Sequence, residues 1–152
     1  MTFLHLMIVN KAGGLIYNQN LAPNAAKLTS NDWLRIGSTF HSLHAIIRQI
    51  SPVQSGGIEK LETETVKIQC FQTLTGLKIV LSAAAGQVQP SLDVVLREIY
   101  VLYSDYVLKN PFYELDMPIR CELFTIHVTQ LIDGYHAQAA LGPSGTKHGA
   151  KR

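Results

Sequence analysis

The chain has 152 residues, 47% of them hydrophobic and 16% charged. That balance excludes a disordered body, which needs low hydrophobicity and high net charge, and the length fits one domain that buries its own core without a metal or disulfide staple. The net charge is +2, yet Lys147, Lys151 and Arg152 fall in the last six residues and leave the rest at −1. A near-neutral, charge-poor body argues against nucleic-acid binding and favours protein partners. Cys70 and Cys121 stand 51 positions apart with no CxxC, so neither a disulfide framework nor a cysteine zinc site is indicated. No apolar run has the length of a membrane span or the layout of a secretory signal; the expectation is a soluble, cytosolic chain.

Phe3 to Val9 is apolar except for His5, the pattern of a strand covered on both faces. Turn residues from Asn10 to Gly14 then lead to Leu15-Ile16-Tyr17, which predicts a hairpin. Residues 18–29 read as a polar connection. A helix follows, with Ser30 or Asn31 as its cap and Asp32 in the first turn. Trp33, Ile36, Gly37, Phe40, Leu43, His44, Ile47 and Ile50 recur on it at three- and four-residue steps, so they predict one inward stripe. Ser51-Pro52 ends it, because the residue before proline is pushed out of the helical region.

Three strands follow. Ile58 to Thr63, charged at Glu59, Lys60 and Glu62, suits a sheet edge. Val66, Ile68 and Cys70 alternate with Lys67 and Gln69, and Leu77, Ile79 and Leu81 with Lys78 and Ser82, each predicting one inward and one outward face. Pro90-Ser91 opens a second helix carrying Leu92, Val95, Leu96, Ile99, Leu102, Tyr103, Tyr106 and Val107. Asn110-Pro111 stops it. Pro118 suits the start of a third helix, with Ile119, Leu123, Ile126, His127 and Leu131 as its inner stripe. The predicted fold is α+β: a five-stranded, mainly antiparallel sheet with helices on its faces. Residues 1–141 form the domain and residues 142–152 a disordered, Gly-rich basic tail.

The residues that carry chemistry form no catalytic pattern. His41 and His44 share a helical face but lack an acidic or cysteine partner at metal-ligand spacing; His44, on the apolar stripe, reads as a core histidine. Cys70 faces inward, where a thiol is a small inert hydrophobe. Cys121 lies beside Arg120 near a helix start without a base. Glu59, Glu62 and Glu64 read as a solvated edge, and Gly13-Gly14 lacks phosphate-loop spacing. No active site, cofactor or metal is expected. Tyr103 and Tyr106 read as packing residues. Phe112 and Tyr113 lie in a connection, where apolar side chains either plug the core or meet a partner.

Several blocks in order carry a family likeness: VNKAGGLIY (9–17), LTSND (28–32), FHSLHAI (40–46), SGGIEKLETET (55–65), CFQTLTGLK (70–78) and YSDYVLKNPFYELDMPIRCELF (103–124). Over residues 3 to 124 the chain resembles the synbindin family, longin-type subunits of the TRAPP vesicle-tethering complex. The resemblance implies a longin fold with one helix on one sheet face and two on the other. It implies a non-catalytic role in a platform that promotes nucleotide exchange on a Ypt/Rab-one-type GTPase, peripheral to ER and early Golgi membranes. It also implies partners: other TRAPP subunits, among them a second longin subunit. Adaptor small chains share the opening hairpin but not the block from Tyr103 to Phe124.

Two departures stand out. Residues 18–29 leave no room for the PDZ-like insertion of some animal members, and Thr125 stands where the family usually has aspartate. From the faces of the predicted elements, Arg35, His41 and Arg48 on the first helix are candidate partner contacts, as are Phe112, Tyr113 and Arg120 in the connection before the third. Arg120 is also expected to pair with Glu114 or Asp116 of its own loop.

Overall fold

A computed structural model describes residues 3–54, 56–86 and 91–141; the tail expected over 142–152 lies outside the described residues. The elements run β1 (Phe3–Val9), β2 (Leu15–Asn20), α1 (Ser30–Ile50), β3 (Lys60–Glu62), β4 (Val66–Gln72), β5 (Lys78–Ala84), α2 (Leu92–Tyr103) and α3 (Glu122–Leu141). The strands form one antiparallel sheet in the order β2-β1-β5-β4-β3. α1 packs over β1 and β2 on one face; α2 crosses β4 and β5 on the other, with α3 beside it. This is the α+β arrangement, one helix against two, that the resemblance implies.

β1 and β5 occupy the middle of the sheet, so both faces of each are covered. Leu6, Ile8, Ile79 and Leu81 point toward α2 and α3, whereas Met7, Val9 and Val80 point toward α1. Phe3 and Leu6 share a face although they are three apart, because the register of β1 on β5 shifts between Phe3 and His5; a bulge adds a residue and resets the alternation. The same device in the hairpin, between Ile8 and Val9 on β1, puts both Ile16 and Tyr17 on the α2–α3 side. Central placement also corrects the expectation that Lys78 faces outward. α1 covers that face of β5, and Lys78 is 4% exposed. β3 is the short, exposed edge strand that its charges predict.

Helix boundaries follow local chemistry. The cap of α1 is Thr29, one residue earlier than expected: its hydroxyl accepts from the Asp32 amide at 3.3 Å and the Asp32 carboxylate accepts from the Thr29 amide at 3.2 Å. This reciprocal box satisfies two of the helix's orphan donors. Ser51 ends the helix as predicted. α2 gives way to a π-helical turn over Ser104–Leu108, which keeps Tyr103 and Val107 buried in one stripe. On α3 the buried stripe is Phe124, Val128 and Ile132, whereas Leu123 and Ile126 are exposed. The expected stripe is thus off by a fraction of a turn, because α3 starts at Glu122, and Ile119 reaches the core from the preceding connection, its amide donating to Ile16 O at 2.7 Å.

Candidate interaction surfaces

α1 is too apolar for one sheet face. Trp33, Gly37, Phe40 and His44 are buried, but Ile36, Leu43, Ile46, Ile47 and Ile50 are exposed, Ile50 to 71%. Ile36, Leu43, Ile47 and Ile50 were expected in the core. Trp33, Phe40 and these five exposed side chains spread over more arc than a flat sheet covers, and the surplus forms a stripe in solvent. A contiguous apolar patch of this kind is a candidate interaction surface. Arg35 and Arg48 are exposed as predicted, but they lie thirteen residues apart, about 140° around the helix. They flank the molecule on different sides and form no single basic patch.

His41, a candidate outward contact, is half-exposed. Its ring lies against Gly13, where an added Cβ would come within 2.6 Å, and its Nδ1 is 3.4 Å from the Lys78 ammonium. His44 is 4% exposed, the core histidine predicted. Burial first, and then the Lys78 charge, hold the pKa of both histidines below the ordinary value. Burial also pushes the nearby Cys70 thiol up to about 12, so the thiolate form that a nucleophile needs is suppressed, in keeping with the inert role read from its position.

The connection before α3 forms the second surface. The Asn110 side chain accepts from the Phe112 amide at 3.1 Å, and the Tyr113 hydroxyl donates to Met117 O at 2.9 Å. Asp116 adopts φ 69°, a left-handed turn that aspartate tolerates better than most residues. These bonds leave Phe112 92%, Leu115 72% and Met117 53% exposed. Tyr113 is half-buried against the core, so Phe112 faces solvent while Tyr113 plugs. Arg120 is exposed, and among the described residues the ion pairs are Lys67–Glu62 and Lys109–Asp105. The expected pairing of Arg120 with Glu114 or Asp116 is therefore absent. Phe112, Tyr113 and Arg120 border one groove of about 470 Å³, together with Met117 and Cys121. Thr125, at the departure from the family pattern, lies 3.1 Å from the Tyr17 hydroxyl and ties α3 to β2.

A family model described as the Sybindin-like family matches residues 3–135. The chain belongs to this family. "Trafficking protein particle complex subunit 4" of Dictyostelium discoideum is 52% identical over 134 residues, covering 87% of this chain and 97% of that protein. The Bos taurus protein of the same name is 52% identical over 118 residues, covering 77% of this chain and 53% of its own length, so the chain spans about half of that relative. "Trafficking protein particle complex subunit 1" of Dictyostelium discoideum is 28% identical over 127 residues, covering 79% of this chain and 87% of that protein. A solved structure of "MglB with tetrameric arrangement" superposes with a TM-score of 0.44 at 7% identity, over 88% of this chain and 79% of the other.

Sequence reasoning missed the exposed half of α1, the buried Lys78, and Leu115 and Met117 as surface residues. The first had a legible signal, the excessive width of the apolar arc. The others depend on which strand is central and on how a loop folds back, and neither is written locally.

Proposed function

We propose that this chain is a non-catalytic subunit of a TRAPP-type vesicle-tethering complex and part of the platform that promotes nucleotide exchange on a Ypt/Rab-one-type GTPase in ER-to-Golgi transport. The observation that carries the reading is 52% identity across nearly all of a subunit 4 relative. Exchange is differential binding: the factor prefers the GTPase conformation that holds nucleotide badly. That work takes shape and contact area and requires no nucleophile. A specific interface buries about 1,200–2,000 Å² in total, more than one helix flank and one loop of a small domain supply, so other subunits share it.

The apolar α1 stripe supports a contact with a second longin subunit, of the kind to which this chain is itself distantly similar. Arg35 and Arg48, outside that stripe, are the proposed polar contacts. Phe112, Tyr113 and Arg120 at the α3 connection are the proposed contacts with a neighbouring subunit, Tyr113 by holding the loop in shape. Membrane association at the ER and early Golgi is peripheral, through the complex; no helix among the described residues is long and apolar enough to cross a bilayer.

The test is labelled-nucleotide release from the GTPase with the lone chain, the reconstituted core, and cores carrying Arg48→Glu or Ile50→Asp. Exchange is expected only on reconstitution. Arg48→Glu is expected to slow exchange without preventing assembly. Ile50→Asp is expected to lose the second longin subunit on gel filtration while the chain's own stability stays within about 0.5 kcal/mol. Full exchange by the lone chain overturns the platform reading, and large adaptins co-purifying in place of TRAPP subunits overturn the complex.

A further inference from the structure

Two histidines of α1, a turn apart, each press on a loop glycine at positive φ. His41 meets Gly13 (φ +92°) of the β1–β2 turn, and His44 meets Gly57 (φ +110°) of the connection into β3. At Gly57 a Cβ would lie 2.3 to 2.6 Å from the His44 ring atoms, so the loop backbone rests directly on the imidazole.

The hydrogen bonds of His44 fix its protonation state. The Ile58 amide, which is only a donor, points at Nδ1 from 3.2 Å. Nδ1 must therefore offer its lone pair. Nε2 then carries the hydrogen and donates to Gln72 Oε1 at 3.1 Å. Protonating Nδ1 would set two N–H groups head to head and break the bond to Ile58. Among the described residues no carboxylate faces the ring to offset an added charge: Lys78 from β5 and Arg48 and His41 from α1 are cationic or become so on protonation, while β4 presents the neutral Gln72, whose one bond to Nε2 is outweighed. From the β3 side the ring meets the backbone of Gly57 and Ile58.

We propose that His44 is a proton-operated latch, which in its neutral form holds Gly57, Ile58 and the β3 edge against α1 and releases them when it is protonated. Release has somewhere to act. Ile58 packs half-buried beneath α1, and the next residue, Glu59, accepts the Cys70 amide at 2.9 Å through its carbonyl. β3 then has only three residues in its ladder. Beside it lies an open groove lined by Ile47, Val53, Gly56 and Leu61, continuous with the exposed stripe of α1. His41 does not share the role. It is half-exposed, and a protonated ring there is free to swing into solvent away from Lys78.

The direction of the pH effect follows from linkage. The unfolded chain's histidines titrate near ~6.5, and burial with the cationic neighbours lowers the folded value. The latch is closed above that unfolded value. Its contribution is lost as pH falls below ~6.5 and through the lowered folded pKa, because the unfolded and open states then bind more protons.

Residue-resolved amide hydrogen exchange on the full chain and on His44→Gln, at about pH 7.5 and about pH 5.5, tests this. In the unaltered chain the protection factor of the Ile58 amide is expected to fall about tenfold or more on acidification, with the central β5 amides unchanged. In His44→Gln it is expected to be independent of pH. Equal Ile58 protection at both pH values in the unaltered chain, or the same loss in His44→Gln, overturns the proposal. Should His44→Gln not fold, nitrogen NMR of the unaltered chain decides. A neutral ring with its hydrogen on Nε2 that titrates below ~6.5 supports the latch; a hydrogen on Nδ1, or titration at or above that value, overturns it.

Discussion

The two faces of the sheet are built to different standards. Among the described residues, twenty buried side chains form one apolar cluster against α2 and α3, whereas the apolar cluster on the α1 side has six. The two-helix side is nearly free of buried charge: Tyr17, Tyr103 and Phe124 stack edge to face, and Gln69 is satisfied by Asp93 of α2. The one-helix side encloses Lys78 and His44 and leaves six isoleucines and leucines of α1 in solvent. A single helix, about 10–12 Å across with its side chains, does not cover the width of five strands spaced about 4.8 Å apart. What the α2–α3 side resolves by adding a second helix, the α1 side leaves to solvent and to polar groups. The difference separates a face that holds the fold from one that is available for contact.

Mutations should sharpen that contrast. Phe124→Ala, at a site with 0% exposure between Tyr17 and Tyr103, is expected to cost about 3–5 kcal/mol of unfolding free energy through lost burial and a residual cavity; urea denaturation measures it. A cost under about 1 kcal/mol would show that the two-helix side is less tightly packed than described. Lys78→Met on the opposite face is expected to be neutral or to stabilise by up to about 2 kcal/mol, because a buried ammonium without a carboxylate is replaced by an apolar chain of similar length. Marked destabilisation would mean that Lys78 has a structural partner that outweighs its desolvation. The smallest effect belongs to residues 142–152. Their deletion is expected to leave the melting temperature unchanged, as a segment without apolar periodicity contributes nothing to a core. A loss of several degrees would move the domain boundary.

The periodicities of the chain determined the element order, the edge position of β3, the inward Cys70 and the stop at Ser51-Pro52, because each is set by local sterics and by alternation within one segment. Residues 9–17 and 103–124 likewise carried the family likeness without any knowledge of packing. Tertiary structure alone decided which side chains of an apolar element meet the core. Leu43 and Ile47 have the same local pattern as Phe40 and His44, yet they sit where no second helix covers them. Lys78 alternates like a surface residue, and it is buried because β5 lies between β1 and β4 under α1. The stripe of α3 moved to Phe124, Val128 and Ile132 because the connection from Asn110 to Arg120 sets where that helix begins and turns. Burial is a property of what lies opposite a residue, and the residue opposite is chosen by the whole chain.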